Sequence, residues 1–113
     1  MSIFYKNQGF NLTTTSNTTV LTIDSQSRAL VKNVAITNYS AQYVNVSASV
    51  YDSSAANSYE FFNGEVPPDC TFNAAGTLLI LEESDAIKIQ AETSTSIQGV
   101  ISYALLNRTQ ENG

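Results

Sequence analysis

Glu82, Glu83 and Asp85 are the densest set of groups in the sequence able to bind a cation or exchange protons. A hard cation would need about six or more oxygens from a loop of defined geometry. Glycoside hydrolysis would need two carboxylates at a set separation. The run has no EF-hand pattern, and it reads as a charged turn leading into the apolar segment that starts at Ala86. The only cysteine, Cys70, has no histidine to activate it, because the chain contains none. That absence also removes the commonest general base and the commonest zinc ligand. Cys70 cannot close an intrachain disulfide, and it is expected to behave as a small, buried or half-buried hydrophobe. No phosphate-binding glycine loop, dinucleotide fingerprint or nucleophile elbow occurs. No catalytic, cofactor-binding or metal-ligating residue is assigned, no cofactor is expected, and the chain reads as a non-enzyme.

Charge narrows the partners. The net charge is −5 and the five basic residues, Lys6, Arg28, Lys32, Lys88 and Arg108, are scattered. No basic stripe exists to displace counterions from phosphate, so no nucleic acid is expected. No apolar run approaches the ~20 residues of a spanning helix, so no membrane is expected either. Met1–Phe10 has one lysine and no apolar core of a secretory signal, which makes synthesis in a cytoplasm the expectation. Asn-x-Ser/Thr triplets at Asn11, Asn17, Asn38, Asn45 and Asn107 are what a chain rich in Asn, Ser and Thr produces by chance.

The elements that position these groups are strands. Apolar residues are 42% of the 113, enough for one modest core, and charged residues are only 13%, about half the ~25% of globular chains. Period-two alternation dominates. Val44, Val46, Ala48 and Val50 share one face, with Asn45, Ser47 and Ser49 on the other, as in a half-buried strand. From Arg28 to Asn38 both parities are apolar: Leu30, Val34 and Ile36 on one side, Ala29, Val31 and Ala35 on the other. That strand is expected to be covered on both faces. Asn38–Gln42 carries turn formers and predicts a hairpin joining these two strands. Asn63-Gly64 predicts a tight turn. Shorter strands are expected near 10–14, 18–24, 58–62, 77–81, 86–91 and 96–103. About eight short strands at regular spacing specify an all-β fold, an antiparallel β-sandwich of jelly-roll or immunoglobulin-like topology.

Residues 13–106 are assigned to the sandwich, 1–12 to an N-terminal arm or first strand, and 107–113 to a polar C-terminal tail. Ile3, Phe4 and Tyr5 form an apolar cluster ahead of the regular pattern. With Phe10, Tyr39 and Tyr43 they are the candidate interface, since aromatic residues are enriched where proteins meet. Tyr39, Tyr43, Tyr51 and Tyr59 could instead stack on a glycan or pack across strands.

Thr18–Ile23, Ala29–Asn38, Val44–Asp52 and Leu81–Ala91, closing on Val100-Ile101-Ser102-Tyr103, together resemble small β-sandwich proteins of tailed-bacteriophage virions. Those proteins run from a Thr-rich strand and Pro-Ala-Gly turn into V-K-S-I-x-V-x-N, a strand ending in Y-D, L-x-A-G-D-x-L-x-V and a terminal S-Y. Here Asp24–Ser27 replaces the Pro-Ala-Gly turn, and Glu83-Ser84 stands in place of Ala-Gly. The resemblance implies a structural protein of the virion, assembled in the host cytoplasm: a capsid decoration, neck or tail component. It implies self-association, a trimer or larger ring being one arrangement, and contacts with other virion proteins. A carbohydrate- or receptor-binding sandwich is the alternative.

Overall fold

The computed structural model describes residues 2–76 and 78–107. Among these residues nine strands occur, in the order β1 (Ser2–Leu12), β2 (Thr18–Thr22), β3 (Ser27–Asn38), β4 (Val44–Asp52), β5 (Asn57–Val66), β6 (Cys70–Asn73), β7 (Leu79–Leu81), β8 (Ala86–Ala91) and β9 (Ile97–Asn107). One sheet has the order β1-β9-β3-β6, with β7 also pairing β3, and the other has β2-β8-β4-β5. Every pairing is antiparallel.

Four of these pairings are nested. Ser2 faces Asn107, Thr18 faces Ile89, Ala29 faces Leu81 and Val44 faces Val66. In each pair the partners lie nearly equidistant from the turn at 53–56. The chain is thus one long folded-back ribbon, rolled so that its turns fall alternately in two facing sheets. This is a jelly roll.

Between the sheets lies a core of aliphatic side chains, with Ile36, Val44, Val46, Ile87, Ile89 and Ile101 fully buried. Val44, Val46 and Ala48 point inward as their alternation requires, while Val50, beyond a register shift at Ala48/Ser49, is half-buried. Phe62 and Phe72 close the β5–β6 side, their rings 5.0 Å apart.

Three sequence expectations are corrected. The first concerns β3. Its register against β9 slips between Val31 and Asn33, leaving Lys32 as the extra residue of a bulge. Ala29 and Val31 point inward before the bulge, Val34 and Ile36 after it. A bulge inserts one residue and so reverses parity. Both parities are apolar because each is buried over half the strand, not because both faces are covered.

The second concerns residues 38–43, which cross from one sheet to the other and form no hairpin. Asn38 is 0% exposed. Its Nδ2 donates to the carbonyls of Gln42 (2.7 Å) and Val66 (2.8 Å), and its Oδ1 accepts from Ser40 N (2.9 Å) and Ser40 Oγ (2.7 Å). The buried amide satisfies the crossing backbone, as a loop leaving a sheet end requires.

The third is Asn63-Gly64, which lies inside β5 opposite Ser47 and Val46. The chain reverses earlier, at 53–56. There Asp52 Oδ1 accepts from Ser54 N, Ser54 Oγ and Ala55 N, and Ala56 takes a φ of 52°. An Asx-type turn with one left-handed residue completes the reversal without glycine.

Candidate assembly surface

Each sheet of a sandwich has two edges, and a free edge is a template for another strand unless something blunts it. The four edges here differ. β2 is five residues long, with a register shift between Thr19 and Leu21. β6 is four residues long and follows the Pro67-Pro68-Asp69 turn. β5 is long but carries Glu60 and Glu65, and its pairing shifts at Ala48/Ser49. β1 runs 11 residues in unbroken register with β9, has no proline, and carries Lys6 as its only charge.

The sequence places the apolar cluster on this strand, and alternation divides it. Ile3 and Tyr5 project from the outer face of the sheet, opposite Leu106 and Ala104. Phe4 and Phe10 share the other side with Leu12, which is buried. β2, which β1 packs over, is too short to cover its N-terminal part. Ile3 is 54%, Phe4 41% and Tyr5 80% exposed. Tyr5 leans over its own sheet, its ring centroid 5.8 Å from Lys32 Nζ, so the bulge residue of β3 caps the apolar end of the edge.

The outer face continues past the predicted cluster. Leu30 is half-buried, Ile80 and Leu78 are exposed, and the register sets Leu30 between Ala104 and Ile80. Alternation alone would set Leu30 with the inward Val34 and Ile36; Lys32, a charge breaking the alternation, is the one sign in the sequence of a parity change.

At the other end of the same face lies a shallow hollow of about 520 Å³ lined by Gly9, Asn11, Ala35, Thr37, Gln98 and Val100, among others. It exists because Gly9 and Ala35 present little side chain there. Gly99 is obligatory: a Cβ on it would collide with the Ala35 carbonyl oxygen and lie 2.6 Å from the Phe10 ring. Tyr39 reaches this end of β1, its hydroxyl donating to Asn11 Oδ1 at 3.3 Å. Tyr43 is exposed just ahead of β4, in the other sheet, and is not joined to the β1 cluster. Tyr51 is half-buried with Lys88 Nζ 4.8 Å from its ring, and Tyr59 is exposed.

The acidic run is structural. Asp85 is 5% exposed. Its Oδ1 accepts from Ser53 N (3.0 Å) and Ser53 Oγ (3.2 Å), and its Oδ2 from Glu82 N (2.9 Å). Glu83 pairs with Arg28 at 3.1 Å. Among the described residues no group of three or more His, Cys, Asp or Glu converges as a metal site. Cys70, expected to be at least half-buried, is exposed. It opens the short edge strand β6 directly after a turn, where nothing covers it. The expected tail 107–113 lies outside the described residues except for Asn107, the last residue of β9.

No family model matches the sequence, and no curated protein matches it significantly. The structure is similar to a chain of the T13 IBDV viral particle, with a TM-score of 0.56 and 7% identity over 91% of this chain and 30% of that one. It is similar to the same degree to the Bacillus endospore appendages, a novel family of disulfide-linked pili, with a TM-score of 0.56 and 9% identity over 92% of this chain and 86% of that one. The chain therefore spans under a third of the viral chain's length and most of the pilus subunit's. At these identities the likeness establishes the fold.

Proposed function

We propose that this protein is a non-enzymatic structural subunit of a tailed-phage virion, an accessory protein of the head, neck or tail that associates with itself and with other virion proteins. The observation that carries the reading is the long, regular β1 edge on a jelly roll. Natural sandwiches protect edges by shortness, charge, proline or bulges. Here β1 is the least protected edge: 11 residues in unbroken register, with Lys6 as its only charge, beside Ile3, Phe4 and Tyr5. The likeness in fold to a chain of the IBDV viral particle supports the reading, as does the sequence resemblance to phage virion proteins. Ser2–Leu12 serves as the contacting strand, with Tyr39 buttressing its far end through Asn11.

Two other readings are testable. A disulfide-linked polymer like the spore appendages needs at least two cysteines per subunit to propagate, and this chain has one. A glycan-binding module has in its favour the uncharged hollow, where Asn11, Thr37 and Gln98 offer amides and a hydroxyl. Quantitative mass spectrometry of purified virions decides among them. A fixed copy number per particle is the expected result. Absence from particles, together with glycan-array binding by the purified protein, overturns the virion assignment.

A further inference from the structure

We infer that β1 pairs antiparallel with β1 of a second copy, about a two-fold axis through Asn7, joining the two β1-β9-β3-β6 sheets into one continuous sheet. This deepens the proposed function by naming the partner and register of its contact.

The register follows from symmetry and charge. Two identical antiparallel edge strands related by a two-fold must place one residue opposite itself. Only a centre at Asn7, the midpoint of Ser2–Leu12, overlaps the whole strand. A centre one residue earlier would set Lys6 against Lys6, and like charges directly opposite are destabilising. Centred on Asn7, Lys6 faces Gln8 of the second copy. Phe4 then meets Phe10 on one face, an aromatic cross-strand pair. On the other face Tyr5 stands across from Gly9, whose missing side chain leaves room for the ring, next to the hollow at Ala35 and Val100.

The remaining edges do not compete: β2, β6 and β7 are short, and β5 is shifted in register and acidic. The contact is a narrow one, smaller than the roughly 800 Å² per partner of a standard stable interface. It therefore suits a subunit whose other contacts in an assembly raise the effective concentration.

Cross-linking reads such a contact directly. Paired antiparallel residues have Cα atoms about 4.5–5.5 Å apart, within disulfide range. Two Tyr5 residues in this register would be about 14 Å apart. In a Cys70→Ser background, which removes the exposed native thiol, Asn7→Cys is expected to give a covalent dimer on mild oxidation, at least tenfold faster than Tyr5→Cys. Circular dichroism melts confirm that each variant is folded. A folded Asn7→Cys chain that stays monomeric, or a Tyr5→Cys chain that links equally fast, overturns the pairing. As a second measurement, adding Tyr5→Lys to the Asn7→Cys chain is expected to slow its cross-linking at least tenfold, and an unchanged rate refutes the register. Failure here leaves the virion assignment standing, because copy number in particles is measured independently.

Discussion

Asp85 holds Ser53 by both its backbone N–H (3.0 Å) and its hydroxyl (3.2 Å), across 32 positions of sequence. The carboxylate thereby ties the reversal between β4 and β5 to the turn before β8, and its second oxygen fastens Glu82 N. A group so occupied by donors has little left for a cation. Hydrogen bonds to charged groups are worth about 1.5–3 kcal/mol each, partly lost to water here. Asp85→Ala is expected to cost about 2–4 kcal/mol and lower the melting temperature by roughly 10–20 °C. A chelator should leave the melting temperature of the parent protein unchanged. If calcium raised that temperature, and Asp85→Ala removed the effect, the staple assignment would be wrong.

Asn38→Asp is nearly isosteric but removes the donor facing two carbonyls, those of Gln42 and Val66. A carboxylate oxygen set against two carbonyl oxygens in a buried site costs about 3 kcal/mol or more. The variant is expected to melt far below the parent in thermal denaturation. A change of a few degrees would mean that the crossing does not depend on this amide.

Gly99→Ala and Gly9→Ala make a contrasting pair. At Gly99 a methyl group meets the Ala35 carbonyl and the Phe10 ring, and backbone cannot yield cheaply. Overpacking of this kind costs about 3 kcal/mol. At Gly9 the nearest atom is 3.9 Å away, an ordinary contact. The expected outcome in chemical denaturation is a large loss for Gly99→Ala and little change, or a gain of about 0.5 kcal/mol, for Gly9→Ala.

The hydrogen bond from the Ser54 hydroxyl, at 2.7 Å, holds the Asp52 carboxyl below the ordinary aspartate range, against the opposing effect of desolvation and with help from the Ala55 and Ser54 backbone N–H groups. A lowered pKa means that the folded state prefers the charged form. The stabilisation is therefore full above the unfolded-state pKa and is lost as pH falls through the folded one. In an NMR titration of the side-chain carbons, Asp52 should titrate below an unperturbed aspartate. Ser54→Ala should move its midpoint up, and a midpoint that stays put would assign the shift to the backbone donors.

Strands were legible in the sequence wherever one parity alone was apolar, as at Val44, Val46 and Ala48. They misled where a bulge exchanged parities, as at Lys32, because a two-residue period carries no mark of an inserted residue except the misplaced charge. The β3–β4 connection looked like a hairpin because turn formers bend a chain alike whether it returns to its own sheet or crosses to the next. Burial of Asn38 makes the difference, and burial is a tertiary property. Of the candidate interface, Ile3, Phe4, Tyr5 and Phe10 do share one strand. Tyr43 does not join them, since its place follows from sheet order, which local pattern does not encode. Asp85 read as one more charge in an acidic turn because its distant donor, Ser53, is brought to it only by the nested pairing.

That nesting also biases the order in which the ladders close. The loop closed by the 53–56 turn is the shortest, and each ladder, once formed, shortens the loop that the next must close. β4 and β5 can zip first, and β1 finds β9 last. During synthesis from the N-terminus, Ser2–Leu12 leaves the ribosome before Ile97–Asn107 and must wait for it. At ~5–20 residues per second the wait is several seconds. A chain broken off before Ile97 has no strand for β1 to lie against, so a truncated product cannot hold β1 as an ordered edge.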